Sequence, residues 1–138
     1  MTTENILRRH DLRRTSNRTA ILDVFVAQEV ALSEREIEEA MSQTCDRVTI
    51  YRTLNSFLER GVIHRVLDDS GVMKYALCAA DCAHHEAHYH DHVHFKCRMC
   101  GQTTCIEQVQ IPKVILPEGF ALEEVNMLLQ GVCPECRG

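Results

Sequence analysis

Two Cys-x-x-Cys pairs constrain the fold of this chain more than any other feature: Cys97 with Cys100, followed by Gly101, and Cys133 with Cys136. Each pair, here called a knuckle, brings two thiols onto one turn of backbone. Together they form the ligand set of a closed tetrahedral zinc site. Redox-active dithiols or merely buried cysteines are the alternatives. A structural zinc would connect the last strand to the middle one, so that this part of the chain folds only with its metal.

Length and composition point to a cytoplasmic protein. The chain has 138 residues, which predicts one ordinary domain or two small ones. The charged N-terminus is unlike a secretory signal. The chain contains no run of about 18 apolar residues, so no membrane partner is expected. Thiols stay reduced in the cytoplasm, so the eight cysteines indicate metal binding rather than disulfides.

The first half of the chain has helical patterning. A short basic helix comes first, and Ser16 or Asn17 is predicted to cap the next one. Ser33 with Glu36 forms a capping box before the third helix, and Asp46 begins the fourth. The fourth helix has one apolar stripe and ends at a glycine. Its stripe consists of Ile50, Leu54, Phe57 and Leu58, and the glycine is Gly61.

After the fourth helix the pattern changes to short strands. VIHRVL and VMKYAL, separated by DDSG, predict a hairpin, and three helices followed by a hairpin outline a winged helix-turn-helix domain over residues 1–77. Residues 78–138 form a second unit with strands in HVHFKC, TTCIE and FALEEVNMLLQGVC. Pro112 and Pro117 leave room there for only a brief helix. The predicted fold class is therefore α+β, with a small α/β domain that carries the four-cysteine zinc site.

A second metal site is predicted in the histidine-rich stretch HYHDHVHF. Side chains alternate along a strand, so His92 and His94 face away from Cys97 and cannot serve the same zinc. The alternative is a solvated loop in which no histidine has a specific role. His64, in the first hairpin strand, and Cys78, at the hairpin end, would complete a zinc-like set of three imidazoles and one thiolate. Other candidates are Cys45, Cys82, Glu86, Asp91, Cys105 and the remaining loop histidines.

The sequence resembles the ferric uptake regulator family of bacterial metal-responsive repressors. The resemblance is carried by Arg18 with AIL, by LSEREIEEAM, DRVTIYRTLNSFLERGVIHRV and H-x-H-F-x-C-x-x-C-G, and by GVCPEC, over about residues 10–136. It implies a homodimer that represses transcription by binding a double-stranded DNA operator. It also implies that residues 78–138 are a dimerisation domain, hinged near Cys78.

Within the family, the ligand pattern resembles that of the zinc-uptake regulators. Those proteins carry a cysteine at the hairpin end, a His or Asp in the first wing strand and an H-x-H pair. The matching residues are His64, Cys78, His92 and His94. Iron and peroxide sensors typically place a histidine before the third helix and a carboxylate at the hairpin end, where this chain has Ala31 and Ala76. The second ion is therefore expected to be Zn2+, with Fe2+ or Mn2+ as alternatives.

Three departures from the family pattern affect these expectations. Cys105 occupies the position of a usual glutamate, as a fifth ligand, a replacement ligand or a buried thiol. Val93 and Val125 fall where the ligands of a third site would be expected. The insertion CAADCAHHEAHYHD is unusual and is a candidate for weak metal capture.

The polar face of the fourth helix predicts a DNA-reading surface. Thr49, Tyr51 and Arg52 lie on that face and can enter a major groove. The resemblance implies that Tyr51 and Arg52 are the main contacts and that Arg13 and Arg18 hold phosphates. The alternative is an ordinary exposed amphipathic helix.

We expect metal at the junction to close the hinge, so that the recognition helices of a dimer match an AT-rich inverted repeat. An iron- or peroxide-responsive regulator of the same family is the alternative. In other classes, a zinc enzyme would use Glu86 or Glu107 as a base, and a metal buffer would use the histidine loop. No enzyme is expected, because so short a chain leaves no pocket-forming scaffold.

Overall fold

A computed structural model of the protein describes residues 2–41, 45–78, 93–106, 109, 112–123 and 125–138. Four helices and a three-stranded sheet form the N-terminal unit. A second three-stranded sheet and a short helix form the C-terminal unit. The elements are α1 (Thr3–Arg9), α2 (Ser16–Gln28), β1 (Leu32–Ser33), α3 (Glu34–Ala40), α4 (Arg47–Glu59), β2 (Ile63–Val66), β3 (Lys74–Leu77), β4 (Val93–Cys97), β5 (Thr103–Ile106), β6 (Met127–Gly131) and α5 (Pro134–Arg137).

Side chains cap α3 and α4 as the sequence predicts. Ser33 and Glu36 form a reciprocal capping box at α3. The Asp46 carboxylate accepts the Thr49 N–H at 2.7 Å and begins α4. After α4, Gly61 adopts a φ of +75°, a conformation that only glycine adopts at little cost.

The predicted cap of α2 was wrong by one residue. The hydroxyl of Thr15, rather than Ser16 or Asn17, accepts the Arg18 N–H at 3.1 Å. Thr15 has an extended backbone with its oxygen three residues before that N–H, which is the geometry an N-cap needs.

The apolar stripe of α4 forms the centre of the N-terminal core. Ile50 and Phe57 are fully buried and Leu54 is 1% exposed, in one cluster with Ile21 and Phe25 of α2. Burial of such a side chain contributes about 1.5–3 kcal/mol. The packing of α2 against α4 therefore fixes the direction in which the opposite face of α4 points.

The winged hairpin carries a strand that the sequence did not predict. β2 and β3 pair antiparallel, with His64 opposite Ala76. β1 adds to the other edge of β3, which gives the order β1-β3-β2. A strand of two residues, Leu32 and Ser33, has no period that a sequence pattern could reveal.

The C-terminal sheet has the order β5-β4-β6, with β4 antiparallel to β5 and parallel to β6. Among the described residues of the segment 120–133, the strand is shorter than predicted, because Met127–Gly131 is the part that pairs with β4. Described residues 112–123 contain neither helix nor strand, so the brief helix does not occur there. Pro112 and Pro117 each remove a backbone donor from that segment.

The winged helix and the four-cysteine α/β unit of the predicted fold class are confirmed. The boundary between residues 77 and 78 stays a prediction, and Cys78 still donates its N–H to the Val62 carbonyl at 3.0 Å. No described helix has the length and apolar character needed to cross a bilayer.

Candidate metal centres and DNA-facing helix

Four cysteine sulfurs converge at one end of the C-terminal sheet. The ligand atoms of Cys97, Cys100, Cys133 and Cys136 all lie within 4.8 Å of one another. Cys97 ends β4 and Cys133 precedes α5, and the Cys133 N–H donates to the Cys97 sulfur at 3.4 Å. Four soft donors at this spacing suit a tetrahedral zinc ion and leave no open position for a substrate.

Strand pairing brings the two knuckles together. β4 and β6 are parallel, with Cys97 opposite Gly131, so both knuckles leave the sheet at the same end. Glycine at position 131 leaves room for the ring of Phe95, because a Cβ atom there would lie 3.0 Å from Cζ of Phe95. Gly101, with a φ of +78°, turns the chain after Cys100 and donates its N–H to the Cys97 carbonyl at 2.9 Å.

The thiols of this cluster do not ionise independently. Backbone N–H groups of Cys100 and Cys133 lower the pKa of Cys97 to about 6. The neighbouring sulfurs of Cys133 and Cys97 raise the pKa of Cys136 to about 12. The site therefore stabilises a first thiolate but opposes four. A divalent cation would compensate that repulsion, so the donor set fits the predicted structural zinc.

A second cluster, here called the seam cluster, lies between the two units and comprises His64, Cys78, His94 and Cys105. Nε2 of His64 lies 3.3 Å from Nε2 of His94, and Nδ1 of His64 lies 3.4 Å from Sγ of Cys78. Ligand atoms of His64, His94 and Cys105 all lie within 4.8 Å of one another. Both histidines are buried, so packing fixes their rings.

Each unit supplies one imidazole and one thiol to the seam cluster. His64 belongs to β2 and Cys78 directly follows β3. His94 in β4 lies opposite Cys105 in β5. Such cross-strand partners lie on the same face of a sheet, with Cβ atoms about 4.5–5.5 Å apart. The cluster can therefore form only while the two units are in contact.

The histidine of the C-terminal sheet is held in its ligating form. Burial lowers the pKa of His94, and a hydrogen bond with Asn126 opposes this only in part. The neutral imidazole is the form that binds metal. At neutral pH, metal binding to His94 therefore requires no loss of a proton from its ring.

Of the four residues predicted for the second site, the structure places His64 and His94 in one group of possible ligands and places Cys78 beside Nδ1 of His64, the ring nitrogen that does not face His94. His92 lies outside the described residues, and so do Cys82, Glu86, Asp91 and the loop histidines. Cys105, whose role the sequence left open, lies within the cluster. Its position depends on the register of β4 against β5, which a single sequence does not specify.

A cavity of about 170 Å³ lies beside the seam cluster, between the end of α2 and β3. It is lined by Phe25, Glu29, Val30, Ala76, Leu77 and Cys105. Cys105 therefore lies both in the seam cluster and at the border of this cavity.

The face of α4 that points away from the core is exposed. Val48 and Tyr51 are 57% and 55% exposed, and Arg52 is exposed as well. Thr49 is half-buried at the first turn, where Asp46 accepts its N–H. Apolar, aromatic and guanidinium groups on one helix face can contact thymine methyls and guanine edges in a major groove.

The two arginines predicted to contact phosphates differ in their surroundings. Arg13 is exposed in the segment between α1 and α2. Arg18 is half-buried, and its Nη1 donates to the Arg13 carbonyl at 2.7 Å. Arg18 therefore also orients the backbone from which Arg13 projects.

A family model and a sequence relative both match this chain and point to the same family. The family model described as "Ferric uptake regulator family" matches residues 9–130. The ferric uptake regulation protein of Staphylococcus aureus is 30% identical over 136 residues, which cover 96% of this chain and 93% of that protein.

Two solved structures of regulators share the fold. A zinc uptake regulator complexed with zinc and DNA has a TM-score of 0.63 and 26% identity, covering 97% of this chain and 89% of that one. The ferric uptake regulator from Pseudomonas aeruginosa with manganese has a TM-score of 0.60 and 20% identity, covering 97% and 99%. At that identity, the second likeness shows the fold alone.

Proposed function

This chain belongs to the ferric uptake regulator family of metal-responsive regulators, and we propose that it is a zinc-responsive repressor. Its dimer binds an AT-rich inverted repeat in double-stranded DNA when zinc occupies the seam cluster. The observation that carries this proposal is the convergence of ligands from the winged hairpin and from the second sheet. Metal bound there would contact both units, so its affinity depends on how the two units are positioned relative to each other.

The donor atoms of the seam cluster favour zinc. His64 and His94 offer imidazole nitrogens, and Cys78 and Cys105 offer sulfur, a set that zinc accepts in tetrahedral geometry. In the described part of the chain, the three-residue group around His64 holds no carboxylate, the donor that Mn2+ prefers and that Fe2+ sites usually include. We therefore include Cys105 among the regulatory ligands. His92 stays a candidate for the same coordination shell.

An iron-responsive regulator is the second candidate. It is supported by the relative named for ferric uptake regulation, whereas the sulfur-containing donor set and the likeness to a zinc uptake regulator support zinc. Titration with each metal distinguishes the two, because the ligands rather than the fold determine the selectivity.

We assign Cys97, Cys100, Cys133 and Cys136 a separate zinc with a structural role. All four positions of a tetrahedral ion would be filled by protein sulfur, so this metal supports the C-terminal unit and does not report metal supply. Only the seam cluster is then available for regulation.

Seam occupancy is coupled to DNA reading through the N-terminal core. Val62 and Ile63, at the start of the hairpin that carries His64, pack in the same cluster as Ile50 and Phe57 of α4. To move the two units from 1:99 to 99:1 in favour of the DNA-binding arrangement requires about 5.5 kcal/mol. Zinc sites with thiolate ligands release about 10–16 kcal/mol on folding peptides, which is sufficient.

We propose that Thr49, Tyr51 and Arg52 contact base edges in the major groove. Arg13 and Arg18 contact phosphates, which position the helix without reading sequence. An inverted repeat presents two such half-sites, and a two-fold symmetric dimer matches them.

An exposed apolar segment between the knuckles is the proposed dimer surface. Ile115, Phe120 and Leu122 are 86%, 68% and 51% exposed. Large apolar side chains exposed close together in sequence are typical of protein interaction sites. A second copy of the chain is the proposed partner, because it would bring two copies of α4 to one operator.

The test begins with selection of an operator from random duplex DNA in the presence of zinc. Binding to that operator is then titrated with Zn2+, Fe2+ and Mn2+ under reducing conditions. The variants are Cys78→Ser and Cys105→Ser. Cys45→Ser is the matched control, since Cys45 is a half-buried cysteine of the N-terminal unit beside Asn17.

Zinc-dependent binding is expected in the wild type and in the Cys45 variant. It is expected to be lost in both seam variants, while one zinc per chain remains at the four-cysteine site. Binding driven by Fe2+ alone would support the second candidate. Zinc uptake without any selected operator would indicate a metal buffer and contradict the proposal.

A further inference from the structure

The turn of the wing, residues 67–70, is bonded to the C-terminal sheet. Oδ2 of Asp68 accepts a hydrogen bond from Oγ1 of Thr103 at 2.8 Å. Asp69 pairs with Lys96 and also accepts from Nε2 of Gln130 at 3.1 Å. Two consecutive acidic residues of the winged helix thus bind three side chains of the other unit.

Those three partners form a row across the sheet. Thr103 in β5 lies opposite Lys96 in β4, which lies opposite Gln130 in β6. Side chains two residues apart along a strand lie on the same face. The next row on that face contains Cys105 and His94. The wing turn and the seam cluster therefore meet adjacent rows of one sheet face.

Asp68 is fixed on its own side of this contact. Its side chain has no solvent exposure, and its carboxylate accepts from Nζ of Lys74 at 3.0 Å and from the Ser70 N–H at 2.9 Å. Charge-assisted bonds of this kind are about twice as strong as neutral ones. Asp68 is consequently a rigid acceptor for Thr103, rather than a mobile surface acid.

Two more hydrogen bonds join the units near this row. The Ala31 N–H donates to the Thr103 carbonyl at 2.7 Å, and Nδ2 of Asn126 donates to the Leu67 carbonyl at 3.3 Å. All of these bonds use groups of the chain itself and require no metal.

We propose that the wing turn is an interdomain clamp, in which Asp68 and Asp69 are positioning residues that stabilise the arrangement of the two units in which the seam ligands are in register. The inference rests on the proposed function only in treating the seam cluster as a metal site. Because the clamp favours the same arrangement as seam zinc does, less of the binding free energy of zinc is spent on ordering the ligands.

The Ala31 amide provides a direct test, because its N–H is bonded to the other unit. Its hydrogen exchange is measured by NMR in protein that holds zinc in both the four-cysteine site and the seam cluster. Slow exchange of Ala31 is expected in the wild type. The double variant Asp69→Asn, Thr103→Val keeps the Thr103 carbonyl but removes side-chain bonds. It is expected to speed Ala31 exchange on the order of tenfold.

Two comparisons separate positioning from a general loss of stability. The Ile50 amide reports the N-terminal core, and its exchange is expected to be unchanged in the double variant. Glu39→Gln, which removes an exposed acid that pairs with Arg35 within α3, is expected to change neither amide. If Thr103→Val fails to fold, Asp69→Asn alone tests the clamp, because the Asp69 side chain is 53% exposed.

A second readout is metal affinity, measured by competition with a chelator. The clamp variants are expected to bind seam zinc more weakly and to retain the four-cysteine zinc unchanged. Fast Ala31 exchange in the zinc-loaded wild type, or exchange that the variants leave unaltered, would overturn the clamp. Operator binding that ignores zinc, together with variant-sensitive Ala31 exchange, would instead contradict the proposed function and leave the clamp standing.

Discussion

At the scale of single residues, Arg52 is the side chain that most clearly separates DNA reading from metal binding. It is exposed on α4, on the face opposite the buried stripe. Replacement by Ala should weaken operator binding by about 1–3 kcal/mol, because a bidentate base contact or a phosphate contact is lost. Fluorescence anisotropy on the selected operator measures this loss.

The matched control for Arg52→Ala is Arg35→Ala, which removes an exposed arginine from α3. It should leave operator affinity unchanged, and both variants should keep their full zinc content. A zinc deficit in the Arg52 variant would show that the roles assigned to this helix and to the metal centres are wrong.

Asp68 makes stability depend on pH. Burial alone would raise its pKa, but hydrogen bonds from Ser70, Lys74 and Thr103 outweigh burial and hold the pKa well below its usual range. A depressed carboxyl pKa stabilises the fold fully above the unfolded value of about 3.9, and this contribution disappears as the pH falls below that value. The stability lost in Asp68→Asn should therefore be largest near neutral pH.

Urea unfolding of the wild type and of Asp68→Asn at several pH values checks this expectation. The difference in unfolding free energy should shrink below about pH 4, because the Asp68 carboxylate of the unfolded chain begins to be protonated there while that of the folded protein stays ionised. A difference that stays constant down to about pH 3 would mean that Asp68 does not carry the charge assigned to it.

Residue chemistry predicted much of how the two clusters of possible metal ligands are assembled. The four sulfurs could be identified because a Cys-x-x-Cys pair determines its own geometry, whichever strands flank it. His64, Cys78 and His94 could be grouped from strand alternation and the position of the hairpin end. Cys105 could not be assigned, because its place depends on long-range pairing between β4 and β5. The same pairing hid the partners of Asp68 and Asp69.

At the scale of elements, the close approach of β4 and β6 is a testable packing constraint. Gly131→Ala would place a Cβ atom 3.0 Å from the ring of Phe95. The half-buried ring can shift, so the expected cost is about 1 kcal/mol of unfolding free energy. Thermal unfolding of the zinc-loaded protein measures it. Gly138→Ala, where the nearest atom is at 3.4 Å, is the control.

A second substitution checks the cause of that destabilisation. Phe95→Leu should offset part of the effect of Gly131→Ala in the double variant, because it removes the ring that the new methyl group contacts. Simple addition of the two single effects would indicate that the backbone, rather than the ring, limits residue 131.

The sequence predicted well those elements that are determined by residues close to one another in the chain. The capping box of α3, the Asp46 cap and the apolar stripe of α4 depend on neighbours within one or two turns. β1 was missed because two residues show no period, and β6 was predicted too long because only Met127–Gly131 finds a partner in β4. Apolar content alone does not reveal where pairing stops.

At the scale of the whole molecule, the exposed segment between the knuckles makes dimerisation testable. Ile115→Asp and Phe120→Asp introduce charge on a proposed apolar interface, so the population should shift to monomers in analytical ultracentrifugation. Val72→Asp is the control, because Val72 is 53% exposed in the wing and lies outside that segment. If both interface variants remain dimers, the dimer interface must lie on another surface of the chain.

The proposed function gives the two metal centres of one chain different roles, one structural and one regulatory. In the proposed function, the four-cysteine zinc supports the C-terminal unit, and the seam zinc determines whether two copies of α4 can bind one operator. Linkage requires that operator DNA tighten seam zinc by the same factor by which seam zinc tightens operator binding. The two centres must therefore be emptied separately to be distinguished.

The most direct measurement is operator affinity of a dimer stripped of seam zinc alone, compared with the same dimer after zinc is restored. A mild chelator should leave one zinc per chain, and metal analysis establishes that state before binding is measured. Operator binding is expected to be weak in the stripped dimer and to recover fully with zinc. Equal affinity in the two states would contradict it.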